Sequence, residues 1–342
     1  MWNALIDFFF PKRSRPSSPP RSELERASLR RIEPQAGQTI DLDVEESFVG
    51  LLLNTRTFLD SQLNQLEKMT LQQLEELLSA EVFDEKMVPR LPAVVPQLLS
   101  SLRSDDASGK HLAEQISRDP VLVGEVIRIA NSAFYQTGAK INSLERAVVI
   151  LGRIGLQRLI ANVVMKPIFN IHHGRFGQQA GNYLWSQSER CAVACAYLSR
   201  GRYDPFDAYL AGMARQIGMI VAIRILDHLY QGREAPKSIR FYQTLLLKTK
   251  RLSVRIARNW QFPETVLAAL EEQIKMKSLS SQPTLGDLLY MADRISQLHV
   301  LVEEKHLPDD LEGLNQRLGG RLSDPELRCY AELTRIVKSN PR

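Results

Sequence analysis

Apolar residues recur at three- and four-residue spacing along most of the chain, and this spacing predicts helices. Leu59, Leu63 and Leu66 stand at i, i+4 and i+7, and Leu71, Leu74, Leu77 and Leu78 repeat the stripe one helix later. Between the two stripes, Thr70 and Gln73 have the spacing of a capping box. The pattern predicts a helical hairpin over residues 45–82. Its stripes must bury against the main domain or against a second copy of the chain, which would make residues 45–82 a homodimer contact.

From residue 90 onward, helix punctuation repeats. Asp119–Pro120 and Asp204–Pro205 each set a capping residue before a first-turn proline. Asn142 with Glu145, and Ser323 with Glu326, have capping-box spacing, and Thr284 precedes the stripe Leu285, Leu288, Leu289, Ala292. AVVIL at 147–151 has strand composition but sits inside the longer helical stripe Leu144, Val148, Leu151. Gly152 and Gly155 either admit a neighbouring backbone or end that helix. Ser253 reads as the cap of a helix carrying Arg255, Arg258 and Trp260. YLAGMARQIGMIVAIRIL, 209–226, reads as one long apolar helix with a polar pair, Arg215–Gln216, in its middle and Gly212 and Gly218 on either side. No strand–helix alternation and no regular hairpin turns appear, so the predicted class is all-α.

Charge divides the chain. Residues 1–31 hold seven basic and three acidic side chains, whereas residues 41–90 hold four basic and eleven acidic. PKRSRPSSPPRS, residues 11–22, is a Pro/Ser/Arg linker that cannot be helical. The expected organisation is a poorly ordered tail and linker over 1–40, an acidic hairpin over 41–88, a main domain over 89–300 and a C-terminal helical extension over 301–342. The apolar start MWNALIDFFF lacks a signal-peptide pattern and reads as a tail, a surface anchor or a docking peptide. No apolar run reads as a membrane span. Three cysteines without a CxxC, Cys191, Cys195 and Cys329, suit a reducing cytoplasm. Cys191 and Cys195 share a helix face and are expected to pack in the core.

Catalytic signatures are missing from the sequence. There is no Gly-rich phosphate loop, no nucleophile elbow and no zinc spacing among the six histidines. His172–His173 read as a loop, and Asp227–His228 as a dyad at a helix end. No cofactor is expected.

Residues 91–165 carry three landmarks: LPAVVPQLL, ISRDPVLVGEVIRIANSAFY and INSLERAVVILG. In these the chain resembles the HDOD domain, a signalling branch of the HD superfamily, with Asn131, Ser132, Phe134 and Tyr135 at the family's "ANSAFY". By residue type these four are structural, with Asn131 and Tyr135 expected to hydrogen-bond at a helix end. The likeness weakens toward residue 300 and does not cover the first 85 residues.

The resemblance also gives the polar pair a meaning. Catalytic HD proteins hold a metal with a His…His-Asp…Asp set, because imidazole and carboxylate ligands fix the ion and acidify its water. Here Arg215 and Gln216 stand at the His-Asp positions, Gln187 near the first histidine, and Asp293 as the surviving last carboxylate. Arginine has no lone pair to give a cation. The set therefore reads as a degenerate metal site, with Arg215 either paired to Asp293 or snorkelling to solvent. Arg215, Gln216 and Gln187 could also line an anion pocket.

A second feature is basic. Lys237, Arg240, Lys248, Lys250, Arg251, Arg255 and Arg258 occur with no acidic residue among them. Lys248, Lys250, Arg251, Arg255 and Arg258 are candidates for an anion or partner surface, for contact with the acidic hairpin, or for a solvated face. The leading reading is a non-catalytic bacterial, cytoplasmic adaptor acting through protein–protein contacts. The resemblance implies signalling partners from two-component, chemotaxis or cyclic-dinucleotide pathways. Two alternatives stay open: a nucleotide- or nucleic-acid-binding regulator using 237–258, and a divergent HD phosphohydrolase. Nucleic acid is the less favoured partner, since no helix-turn-helix pattern supports it.

Overall fold

The computed structural model describes residues 40–83, 87, 88, 91, 94–103, 108–131, 141, 143–171, 174–232, 234–275, 282–309, 313, 315 and 323–338. The tail 1–39, Ser132, Phe134, Tyr135, Gly138, Asn142 and His172–His173 lie outside the described residues.

Among the described residues the elements are helices, with one isolated bridge between Leu59 and Ser238. In chain order they are α1 Ile40–Leu53, α2 Gln65–Ser79, α3 Val94–Arg103, α4 Gly109–Ile116, α5 Pro120–Ala130, α6 Leu144–Phe169, α7 Gly177–Leu198, α8 Pro205–Ala214, α9 Ile217–Leu229, α10 Ile239–Asn259, α11 Glu264–Lys275, α12 Leu285–Glu303 and α13 Asp324–Lys338. The fold is all-α and HD-like; the stripe Leu59, Leu63, Leu66, expected as one helix, falls mainly in the non-helical segment 54–64 between α1 and α2.

Several starts are capped as their sequences require. The Asp119 carboxylate accepts from the Val121 and Leu122 amides, and the Asp204 carboxylate from those of Phe206 and Asp207. Thr284 forms a capping box with Asp287, and the Glu326 carboxylate accepts from the Ser323 amide. Three predicted caps are displaced. Asn64 starts α2 in a capping box with Glu67, while Thr70 lies inside the helix and donates to the Leu66 carbonyl at 2.8 Å. Ser143 caps α6. Ser253 is buried in the middle of α10. A hydroxyl next to leucines has the same local pattern whether it starts a helix or bonds to its previous turn.

The core is built around α7, which packs on α8 and α12. Cys191 and Cys195 are fully buried on it, and burial raises both thiols well above the ordinary range. Gly212 makes the α7–α8 approach possible, since a Cβ there would lie 2.4 Å from the Ala192 Cα. Inside α6, Gly152 adopts φ +63° and kinks the helix where a side chain would be strained.

The predicted single helix over 209–226 is two. α8 ends at Ala214, α9 begins at Ile217, and Arg215–Gln216 form the corner. The cause is α10. A Cβ on Gly218 would stand 2.0 Å from the Thr249 carbonyl oxygen. Ser253 Oγ accepts from the Gly218 amide at 2.9 Å and donates to the Arg215 carbonyl at 3.1 Å, serving both backbone groups freed by the break.

The acidic hairpin packs within its own chain. α1 lies on α7 and α12, and α2 on α9 and α10. Val44, Phe48, Val49, Leu52, Leu53, Leu66 and Leu74 are buried there. Of the two stripes expected to offer a homodimer face over 45–82, Leu66 and Leu74 are buried in this core, Leu63, Leu71, Leu77 and Leu78 are half-buried against it, and Leu59 is 53% exposed. Glu67, itself buried, accepts from the Lys237 and Ser238 amides at 2.7 and 2.8 Å, where α10 begins. Its negative charge suits that helix end. α13 packs on α7 and α12, burying Cys329, Tyr330, Leu333 and Ile336.

Two stretches, Leu144–Phe169 and Pro205–Leu229, are long and apolar enough to cross a bilayer by length and composition. The sequence reading found no such run. The most apolar windows of the two are 61% and 94% buried inside the protein, so their apolar character is used in packing.

Candidate functional site

The four positions singled out for the degenerate metal site converge. Gln187 comes from the middle of α7, Arg215 and Gln216 from the α8–α9 corner, and Asp293 from α12. Asp293 is fully buried and is the hub. Its Oδ1 accepts from Gln187 Nε2 at 2.8 Å and from Gln216 Nε2 at 3.3 Å. Its Oδ2 faces Arg215 Nη2 at 3.1 Å, with Arg294 Nη1 and Gln297 Nε2 both at 3.4 Å. Gln187 Nε2 also reaches Ser296 Oγ at 2.9 Å, which fixes its amide orientation.

Arg215 points inward, not to solvent; its side chain is 5% exposed. The local cause is the corner itself. Ending α8 at Ala214 lets the Arg215 side chain turn toward α12, while its carbonyl stays with Ser253.

A residue that the sequence reading did not single out completes the centre. Glu45 of α1 enters from the hairpin, with Oε2 2.8 Å from Arg294 Nη2 and Oε1 3.5 Å from both Arg215 Nη2 and Lys250 Nζ. Burial alone would raise its carboxyl. Arg294, Lys250 and Arg215 outweigh that penalty and hold it far below the usual carboxylate range. Burial lowers the Lys250 ammonium, and Glu45 opposes that shift. The three side chains expected to line an anion pocket are engaged within the chain: Gln187 and Gln216 with Asp293, and Arg215 with Asp293 and Glu45. The sequence held a signal for it: Glu45 lies four residues before Val49 and seven before Leu52, on the apolar stripe of its helix.

A hydrolytic metal does not fit these donors. Both oxygens of Asp293 are engaged by N–H donors, and the Arg215 guanidinium stands against its Oδ2. Gln187 Oε1 is the one buried amide oxygen of the set without a partner, and it is a neutral, weak ligand. Among the described residues no group of three or more His, Cys, Asp and Glu side chains could hold an ion.

The remaining predicted residues have other positions. Asn131 Nδ2 donates to the carbonyls of Ile127 and Ile141, and its Oδ1 accepts from the Ile141 amide, so it ties the end of α5 to a residue ten positions further on. Asp227 accepts from the Phe176 and Gly177 amides and caps α7; burial raises its carboxyl. The basic candidates do not form one open surface. Lys248 pairs with Glu75, Lys250 with Glu45, and Arg258 with Glu271. Arg255 donates to the Leu77 carbonyl and lies over the Phe83 ring. Arg251 is exposed.

The HDOD domain family model matches residues 88–276, more than half of the chain. The chain belongs to the HDOD family. The crystal structure of an HDOD domain protein of unknown function from Geobacter sulfurreducens superposes with a TM-score of 0.54 at 17% identity, covering 80% of this chain and 96% of that one. A provisionally assigned metal-dependent phosphohydrolase from Shewanella amazonensis gives 0.50 at 18% identity, covering 80% and 99%. A provisionally assigned signal transduction protein from Marinobacter aquaeolei gives 0.51 at 15% identity, covering 87% and 66%. These likenesses concern the fold. An uncharacterized protein of Treponema pallidum is 21% identical over 193 residues, which are 53% of this chain and 36% of that protein. The HDOD match ends before Asp293 and begins after Glu45, so one of the centre's two carboxylates comes from each flank.

Proposed function

We propose that this HDOD protein is a non-catalytic bacterial regulator, acting in the cytoplasm through protein–protein contacts. The observation that carries the reading is the saturation of Asp293 by Gln187, Gln216 and Arg215, with Glu45 closing the other side of Arg215. A centre in this state binds its charges to one another and leaves no carboxylate to activate water. What remains is a rigid helical body. The division into tail 1–40, hairpin 41–88, HDOD core 89–300 and extension 301–342 is our proposed functional division, with the tail as an added docking element. The family, together with a signal transduction protein of the same fold, supports partners in two-component, chemotaxis or cyclic-dinucleotide signalling.

The test is a hydrolysis assay on the full chain with bis(4-nitrophenyl) phosphate and added Mn²⁺, Fe²⁺ or Mg²⁺, run beside Asp293→Ala with metal content measured on both. Release of nitrophenol at the buffer rate, and metal far below one ion per chain, is the expected result. Turnover that disappears in Asp293→Ala would overturn the reading in favour of a phosphohydrolase.

A further inference from the structure

Away from the charge centre, α5, α6 and one face of α7 enclose an open cleft of about 460 Å³, within the range of small-molecule sites. Trp185 and Gln187 are two residues apart on α7 and so point to different sides. Trp185 lines the cleft, while Gln187 belongs to the centre.

Three side chains give the cleft its chemistry. Asn162 is 5% exposed. Its Oδ1 accepts from the Tyr209 hydroxyl at 3.0 Å, which turns its Nδ2 the other way, and that donor has no partner. A buried amide donor left without an acceptor is destabilising, so an acceptor arriving at it gains more than at an exposed amide. One turn on, Lys166 is exposed and has no carboxylate partner among the described residues. Its Nζ lies 6.0 Å from the Trp185 ring centroid. Trp185 is half-buried, with Phe169 packed edge-on behind it at 5.5 Å. Leu159 and Val163 supply apolar wall. The other charges are already engaged: Arg128 with Glu125 at 2.6 Å, and Glu189 with a partner inside the fold.

An unpartnered amide donor and an unpaired ammonium on α6, facing one cleft with an aromatic ring of α7, select a flat ring with a negatively charged acceptor. We propose that this cleft binds a small aromatic carboxylate. Its ring lies on Trp185, one carboxylate oxygen takes the Asn162 Nδ2–H, and the charge is met by Lys166. The site is independent of the proposed regulatory reading, since it uses none of the residues of the charge centre.

The test is calorimetric titration of the full chain with indole-3-carboxylate, alongside tryptamine as a cationic probe of similar ring. Asn162→Asp keeps an acceptor for Tyr209 and removes the donor. Lys166→Gln removes the charge from an exposed side chain. The expected result is one carboxylate per chain, weakened about tenfold or more by either substitution, and no tryptamine binding. Where Asn162→Asp lowers the thermal midpoint, Lys166→Gln decides. The proposal falls if the carboxylate does not bind at millimolar concentration, if it binds the variants as tightly as the wild type, or if tryptamine binds equally well.

Discussion

Arg215 Nη2 stands 3.1 Å from Asp293 Oδ2, in a place where the two side chains are 5% and 0% exposed. Removing Arg215 leaves the buried Asp293 with the Gln187 and Gln216 amides and with Arg294 at 3.4 Å, and breaking a buried pair in this way costs about 3–5 kcal/mol. Arg215→Ala is therefore expected to lose that much in urea unfolding. Arg215→Met with Asp293→Leu should recover part of the loss, because the buried Asp293 charge goes with its partner, while the Gln216 amide loses its acceptor. A double variant no more stable than Arg215→Ala would show that the pair is not the source of the cost.

Glu45 predicts a pH dependence with a definite sign. Its folded-state pKa is depressed from a reference of 4.5. The stabilisation it gives is thus complete above that reference and is lost progressively as pH falls below it. Wild-type stability should decline through this acid range, and Glu45→Gln, already destabilised at pH 7, should decline less steeply. Parallel curves for the two proteins would contradict the assignment.

Gly218 and Gly124 should respond in opposite directions to alanine. A Cβ at Gly218 meets the Thr249 carbonyl, which is backbone and cannot step aside, so Gly218→Ala is expected to destabilise by more than about 3 kcal/mol. Gly124 is exposed on α5, and a Cβ there meets nothing within 4 Å. Gly124→Ala should stabilise by about 0.5–1 kcal/mol. Thermal midpoints of the two variants check both.

The basic stretch predicts weak nucleic-acid binding. Lys248, Lys250 and Arg255 are turned to the hairpin, and Arg258 to Glu271. Fluorescence anisotropy with a labelled single strand at 150 mM salt should give no affinity tighter than the non-specific level of about 10⁻⁶ M. Tight, steeply salt-dependent binding would restore the nucleic-acid alternative.

The parts of this fold that were legible in the sequence are those set by short-range rules. Asp119, Asp204 and Thr284 cap helices where their spacing placed them. The convergence of Gln187, Arg215, Gln216 and Asp293 came from a resemblance, since no local rule joins residues on three separate helices. What escaped was long-range. Ser253 reads as a cap in its own neighbourhood, and its real task is set by a backbone break 35 residues earlier. Glu45 shows only as an acid on an apolar stripe, and the Arg215 it meets lies 170 residues away. The long apolar run 209–226 gave no sign of its corner, because the pressure on Gly218 comes from another helix.

The hairpin's place in the core has a consequence for how the chain is made. Glu45 leaves the ribosome about 250 residues before Arg294, and at 5–20 residues per second that is an interval of roughly 12 to 50 s. During it the Glu45 carboxylate waits for Arg294, while α7, α9 and α10, on which α1 and α2 also pack, emerge earlier. The contact between Glu45 and Arg294 thus closes late, and until α12 arrives a chaperone would meet the part of the α1 apolar face that α12 covers.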